Sequence, residues 1–468
     1  MDFRTRLSQI IEEKREKLIQ VSNRIWGFAE TGFEEFQSAE LLCKTLEEEG
    51  FSVEKGVAEI KTAFIGSYGS GKPVIAFLGE FDALTGLSQN GGTTQPAPVK
   101  TGGNGHGCGH NLLGTGALAA AIALRTYMIE NNIKGTVRYY GCPGEEIGGG
   151  KTFMTRAGVF DDVDIALTWH PGTTNNIWSA RTLACYEVYF KFKGKSSHAA
   201  ATPHLGRSAL DAVELMNIGV NYLREHIIPE ARVHYAITNT GGLSPNVVQA
   251  EAEVLYFVRA PRVSQTEEVY QRVCEIARGA ALMTGTEVEI DLASALSNVI
   301  PNTTLEKVMY ENFVELGVPE HTEEELQFAQ KIRATLAEAD KKFEVQKNRA
   351  LAGKDMADLL NPFSPDEFMA GSTDVGDVSW IVPTAQCMTA CEPLGTPLHT
   401  WQIVATGTTS LAHKGMLHAG KIMAATAIDV LQQPELIEKA KAELLERRDG
   451  EEYVCPLPPE VKEYKVRI

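Results

Sequence analysis

Apolar residues at Leu7, Ile10, Ile11, Leu18 and Val21 recur at helical spacing and predict one helix with a buried stripe. After the break at Glu30-Thr31-Gly32, Ala39, Leu42 and Leu46 predict a second. The rhythm then shortens. Ala63 to Gly66 reads as a strand, and Pro73 to Leu78 is a short continuous apolar run of the kind buried in a parallel sheet. A Gly/Pro/Gln-rich stretch from Leu87 to Asn104 has no periodicity and predicts a loop; Leu112 to Ile129, rich in Ala and Leu, predicts a helix. Strands follow at Val137 to Cys142 and Ala166 to Trp169. Strands alternating with helices predict an α/β fold with a mostly parallel sheet and helices on both faces, its first part spanning residues 1–182.

From Leu183 the order changes to strand (Ala184 to Phe192), helix (Gly206 to Arg224), two strands (Arg232 to Ile237, Ala252 to Arg259), helix (Gln265 to Met283) and strand (Glu287 to Leu292). That β-α-β-β-α-β order predicts an inserted ferredoxin-like lid or dimerisation domain over residues 183–294. Residues 295–468 read as the return to the first domain, through a charged helix from Glu323 to Ala339 and a final apolar helix over 408–431. The polar stretch that includes residues 340–370 matches no pattern.

A chain of 468 residues, 43% of them hydrophobic, is long enough for two cores. Its formal charge of −17 sets it against polyanions, so nucleic acid and anionic membrane are excluded as natural partners. An anionic substrate then needs local arginines or metal ions to hold it. The N-terminus lacks the apolar stretch of a secretory signal, and no window reaches the ~20 apolar residues of a membrane span, so the expectation is a cytoplasmic protein. Eight cysteines (43, 108, 142, 185, 274, 387, 391 and 455) are too sparse for a disulfide framework and read mostly as buried thiols.

Cys108 is different. It stands in Gly105-His106-Gly107-Cys108-Gly109-His110-Asn111, where a thiol and an imidazole two residues apart can both turn toward one metal. Gly144-Glu145-Glu146 follows the strand ending at Cys142, and adjacent carboxylates there can divide labour, one binding metal and one moving a proton. His170 ends another strand in Thr168-Trp169-His170-Pro171, and His399 lies in Gly395-Thr396-Pro397-Leu398-His399-Thr400. Each segment has an ordinary reading as a loop or a structural histidine. Together, on successive loops of one sheet, they point to a metal site suited to zinc or manganese.

These residues, with the segment Gly194-Lys195-Ser196-Ser197-His198-Ala199-Ala200, resemble the M20 amidohydrolases, in particular their cysteine-containing branch. The resemblance implies that Cys108 bridges two metal ions, that His110, Glu146, His170 and His399 are the other ligands, and that Glu145 is the general base. It also implies that His198 reaches across a homodimer to stabilise the oxyanion, and that Asn246 and Arg259 bind substrate. Most of the superfamily has His-x-Asp where this chain has Glu80-Phe81-Asp82; the resemblance therefore leaves Asp82 a supporting role behind His110. His106, His413 and His418 match no such pattern, and the last two read as structural.

The implied reaction is hydrolysis of the amide bond of a small acyl-amino acid. Closer similarity over Gly105 to Asn111, Gly141 to Glu146, Ala231 to Ala252 and Ser372 to Trp380 narrows the expected substrate to p-aminobenzoyl-glutamate. Rival readings are a dipeptidase or auxin-conjugate amidohydrolase, and a non-catalytic partner of an unlike A-type subunit.

Overall fold

The computed structural model describes residues 2–461. The chain divides into two compact units. One comprises residues 2–180, Ile300–Glu367 and Val378–Tyr453; the other comprises Arg181–Val299, Phe368–Asp377 and residues 454–461.

The first unit is built on a seven-stranded sheet whose order is Ser52–Lys55, Phe64–Ser70, Gly135–Cys142, Val74–Glu80, Ile165–Gly172, Thr384–Ala390 and Asn176–Ile177. Its four middle strands run parallel and its edges antiparallel. Every residue of Val74–Glu80 is buried, as its unbroken apolar run requires. The helix His110–Glu130 packs against this strand and against the helix Ser410–Gln432. Small residues permit the approach: a Cβ on Gly420 would stand 2.9 Å from Ala119 Cβ and 3.1 Å from Gly116 O. His110–Glu130 is apolar enough to cross a membrane, but 78% of that window is buried in the core.

The sequence pattern predicts two helices before residue 50, and there are three. Lys14, at φ −98° and ψ 0°, ends Phe3–Glu13 and starts Arg15–Phe28, while the apolar stripe runs on across the joint. Phe36–Glu48 is the third. The expected charged helix is also two, Glu323–Arg333 and Glu338–Lys347, and the second occupies part of the stretch that showed no pattern. Arg333 of the first helix and Asp355, beyond the second, hold the loop before His399: Arg333 Nε donates to Leu394 O at 3.0 Å, and Leu394 N donates to Asp355 O at 2.9 Å. Ser410–Gln432 is not the last helix, because Glu435–Arg448 follows it.

In the second unit the strand order Glu287–Leu296, Ala184–Lys193, Glu251–Ala260, Arg232–Asn239 is antiparallel throughout. With the helices Ala209–Leu223 and Val263–Thr284 this is the split β-α-β arrangement expected for the lid. Ala252, Val254, Tyr256, Val258 and Ala260 alternate inward along one strand and meet both helices. Arg232–Asn239 is an edge strand with Tyr235 and Ile237 exposed.

Candidate metal centre and active site

Six chemically capable side chains of the first unit converge at the carboxyl ends of the parallel strands, where open α/β sheets bind ligands. Cys108 and His110 flank Gly109, which caps the helix His110–Glu130 at φ +76°. Only glycine fits there, since a Cβ would stand 2.7 Å from Pro171 Cγ. The turn therefore sets the thiol against the end of the His170 strand, with Cys108 Sγ 3.4 Å from His170 Nε2. Glu145 and Glu146 follow Gly144, whose φ of +66° turns the chain out of the strand Gly135–Cys142. His399 adopts a left-handed φ of +60°, costly for a side chain with a Cβ, and its N–H donates to Gly107 O at 2.9 Å.

The donors form two triads that share Cys108: Cys108, His110 and His170, and Cys108, Glu146 and His399, with ligand atoms in each within 4.8 Å of one another. Glu146 Oε2 lies 3.4 Å from His399 Nε2, and its Oε1 lies 4.0 Å from His110 Nε2. Glu145 sets an oxygen within 4.8 Å of donor atoms of His110 and of Glu80.

Asp82 holds the two triads in register. Its Oδ1 sits 2.7 Å from His110 Nδ1, and its Oδ2 accepts the Glu146 N–H at 3.0 Å. Asp82 therefore keeps a proton on His110 Nδ1 and leaves Nε2 as the nitrogen that turns toward the centre. His170 is oriented the same way, with Nδ1 2.7 Å from Pro171 O.

Charge is unevenly distributed here. Burial, the largest influence, pushes the Cys108 thiol well up, and the Glu146 charge adds to it. Burial pulls on His110 in the opposite sense, but the Asp82 carboxylate and Cys108 outweigh it and leave the ring well above its ordinary value. Loss of solvent lowers His170. Glu146 is held at about 2, its burial overcome by the bond to His399 and the charge of His110, and His399 is raised by the same bond.

A divalent cation fits this arrangement. His110 Nε2 and Glu146 Oε1 are buried atoms without a hydrogen-bond partner. Inside a protein such unsatisfied polar atoms are costly, and a divalent cation that took the place of the His110 Nε2 proton would satisfy both. A thiol, three imidazoles and a carboxylate form a donor set typical of borderline metals, and the thiol shared by both triads would let the set hold two ions.

The remaining sequence-predicted residues lie in the second unit. His198 is exposed, and its Nδ1 accepts N–H bonds from Ala200 at 3.2 Å and Ala201 at 3.1 Å. Asn246 is its neighbour, its carbonyl accepting the Ala199 N–H at 2.9 Å. Arg259 donates from Nη1 to Ser372 Oγ at 2.9 Å, and its buried Nε has no hydrogen-bond partner. In the first unit, His106, His413 and His418 are tied through Nε2 to Ile25 O, Asn23 Oδ1 and Gly317 O. Burial holds His106 near 3 and the other two near 4, so all three are neutral.

Two buried groups beside the centre are given no role by the sequence reading. Glu80, at the end of the strand Val74–Glu80, pairs through Oε1 with Lys151 Nζ at 2.7 Å, and both side chains are almost wholly buried. Glu35 accepts the Gly144 N–H at 2.8 Å from beneath the loop of Glu145. Glu80 stands where most of the superfamily has the histidine of His-x-Asp, which is its signal in the sequence; Glu35, just before the helix Phe36–Glu48, lies outside every motif.

Residues 76–377 match the model of peptidase family M20/M25/M40. The chain is 52% identical to the B-type subunit of the p-aminobenzoyl-glutamate hydrolase of Escherichia coli, over 97% of each chain. It is 30% identical to a Mus musculus Xaa-Arg dipeptidase, over 94% of this chain and 92% of that one. Among solved structures it resembles the Bacillus subtilis YXEP protein, a dinuclear metal-binding peptidase of the M20 family, at a TM-score of 0.59 and 20% identity, over 90% of this chain and 99% of that one.

Proposed function

The chain belongs to peptidase family M20/M25/M40 and is a metal-dependent hydrolase, and from that premise we propose that it cleaves the amide bond of p-aminobenzoyl-glutamate, giving p-aminobenzoate and glutamate. The carrying observation is Cys108 shared between two donor triads beside Glu145. The substrate rests on 52% identity to the B-type subunit of the E. coli hydrolase.

In this reading Cys108, His110, Glu146, His170 and His399 hold two divalent ions, zinc by the donor set, with manganese the alternative. Such ions lower the pKa of water and polarise the scissile carbonyl. Glu145 takes the proton of the attacking water and returns it to the departing amine nitrogen of glutamate. His198 donates to the developing oxyanion. The two backbone N–H groups bound to Nδ1 leave the proton on Nε2, the nitrogen free to donate. Arg259 pairs with a glutamate carboxylate and Asn246 binds the substrate's polar groups. The edge strand Arg232–Asn239 supports a homodimer in which His198 serves the centre of the other copy. The free cysteines suit a reducing, cytoplasmic setting.

The test is a hydrolysis screen on the purified single chain, with its metal content measured alongside. Turnover of p-aminobenzoyl-glutamate well above that of Xaa-Arg dipeptides and indole-acetyl-aspartate supports the proposal. Turnover confined to dipeptides replaces it with the dipeptidase reading. A metal-loaded chain inactive on all of them until an unlike subunit is added makes it a partner subunit.

A further inference from the structure

We propose that Glu80 is a further metal-facing carboxylate of this centre, set on its His110 side, with Lys151 as the positioning residue that aims it. The inference rests on the two-metal reading above. Glu80 is the last residue of a fully buried strand, and its two oxygens face different partners. Oε1 is 2.7 Å from Lys151 Nζ, and Oε2 is 3.4 Å from His110 Nε2.

The second contact is the informative one. His110 Nδ1 is committed to Asp82, so Nε2 is the nitrogen that faces Glu80, and that atom has no hydrogen-bond partner. A divalent cation in place of a proton between that nitrogen and the carboxylate oxygen would satisfy both. Two donors on one divalent ion, with bonds of ~2.1 Å at a tetrahedral angle, sit roughly 3.4 Å apart. That is the Glu80–His110 separation, and also that of the Cys108–His170 and Glu146–His399 pairs. Glu80, His110 and Glu145 themselves satisfy the distances of a metal-binding triad.

Lys151 explains why Glu80 holds this pose. A wholly buried ammonium requires its counter-charge, and the pair fixes Oε1 so that Oε2 can point only the other way. Lys151 belongs to the helix Gly150–Arg156, which begins four residues after Glu146. One chain segment thus carries the proposed base, a ligand and the clamp on Glu80.

The test uses the full chain, stripped with a chelator and titrated with zinc, with stoichiometry read by elemental analysis and affinity by competition with a chromophoric chelator. The wild type should hold two ions. Glu80→Gln should keep one at unchanged affinity and bind the other at least ~10-fold more weakly. The double variant Glu80→Gln/Lys151→Met, which removes both buried charges together and so avoids an unpaired one, should do the same. Cys108→Ala should weaken both ions. Two ions held at wild-type affinity by either folded Glu80 variant overturn the proposal and leave the two-metal reading intact. A wild type that binds no zinc overturns that reading, and this inference with it.

Discussion

Asp82 uses one oxygen to set the tautomer of His110 and the other to hold the backbone of Glu146. An amide cannot do both. In Asp82→Asn the NH2 group either opposes the Glu146 N–H or faces His110 Nδ1, forcing the proton onto Nε2. We expect metal affinity to fall by ~10–100-fold, measured by chelator competition, with the circular dichroism spectrum unchanged. Glu145 carries the opposite expectation, because its proposed part is proton transfer. Glu145→Gln should keep full metal content by elemental analysis while kcat falls by ~10²-fold or more. Near-wild-type turnover in that variant would remove Glu145 from the reaction. The difference between these residues explains what the sequence reveals. Cys108 and His110 announce themselves because their geometry lies within three residues. Glu80 and Lys151 sit on separate segments, and only the packed sheet turns two unremarkable charges into a pair.

Among the elements, strands and helices with a clear period were legible, and the failures have physical causes. Thr384–Ala390 went unpredicted because, buried between two strands, it has no alternation to read. The joint at Lys14 leaves the apolar stripe in phase, so periodicity cannot see it. Glu306, on the helix Thr303–Leu316, adds a property that no pattern encodes. Burial raises its carboxyl from 4.5 to about 7, opposed by the Ser179 hydroxyl that donates to it at 2.6 Å. An acid raised on folding binds its proton more tightly in the folded state. Its contribution is therefore complete below the unfolded value and is lost as pH rises from there through about 7. The loss is on the order of 3 kcal/mol. Glu306→Gln keeps the acceptor for Ser179 and cannot ionise. Its melting temperature should fall less between pH 5 and pH 8 than that of the wild type. Equal falls would assign the pH dependence elsewhere.

For the whole molecule, the proposed exchange of His198 between copies gives a test that no single variant supplies. His198→Ala and Glu145→Ala chains, each inactive, should regain activity when mixed under subunit exchange, because some mixed dimers contain one intact site. Confirmed exchange without activity would return His198 to its own chain or to a structural part. The net charge of −17 makes a further demand, since an anionic substrate approaches against the protein's field, which the proposed Arg259 contact and metal ions would offset locally. The packing of His110–Glu130 on Ser410–Gln432 matters during the making of the chain as well as after it. At ~5–20 residues per second, a ribosome finishes the first of these apolar helices roughly 15–60 s before it starts the second. Over that interval the nascent chain has a hydrophobic face without its cover and a thiol without His399.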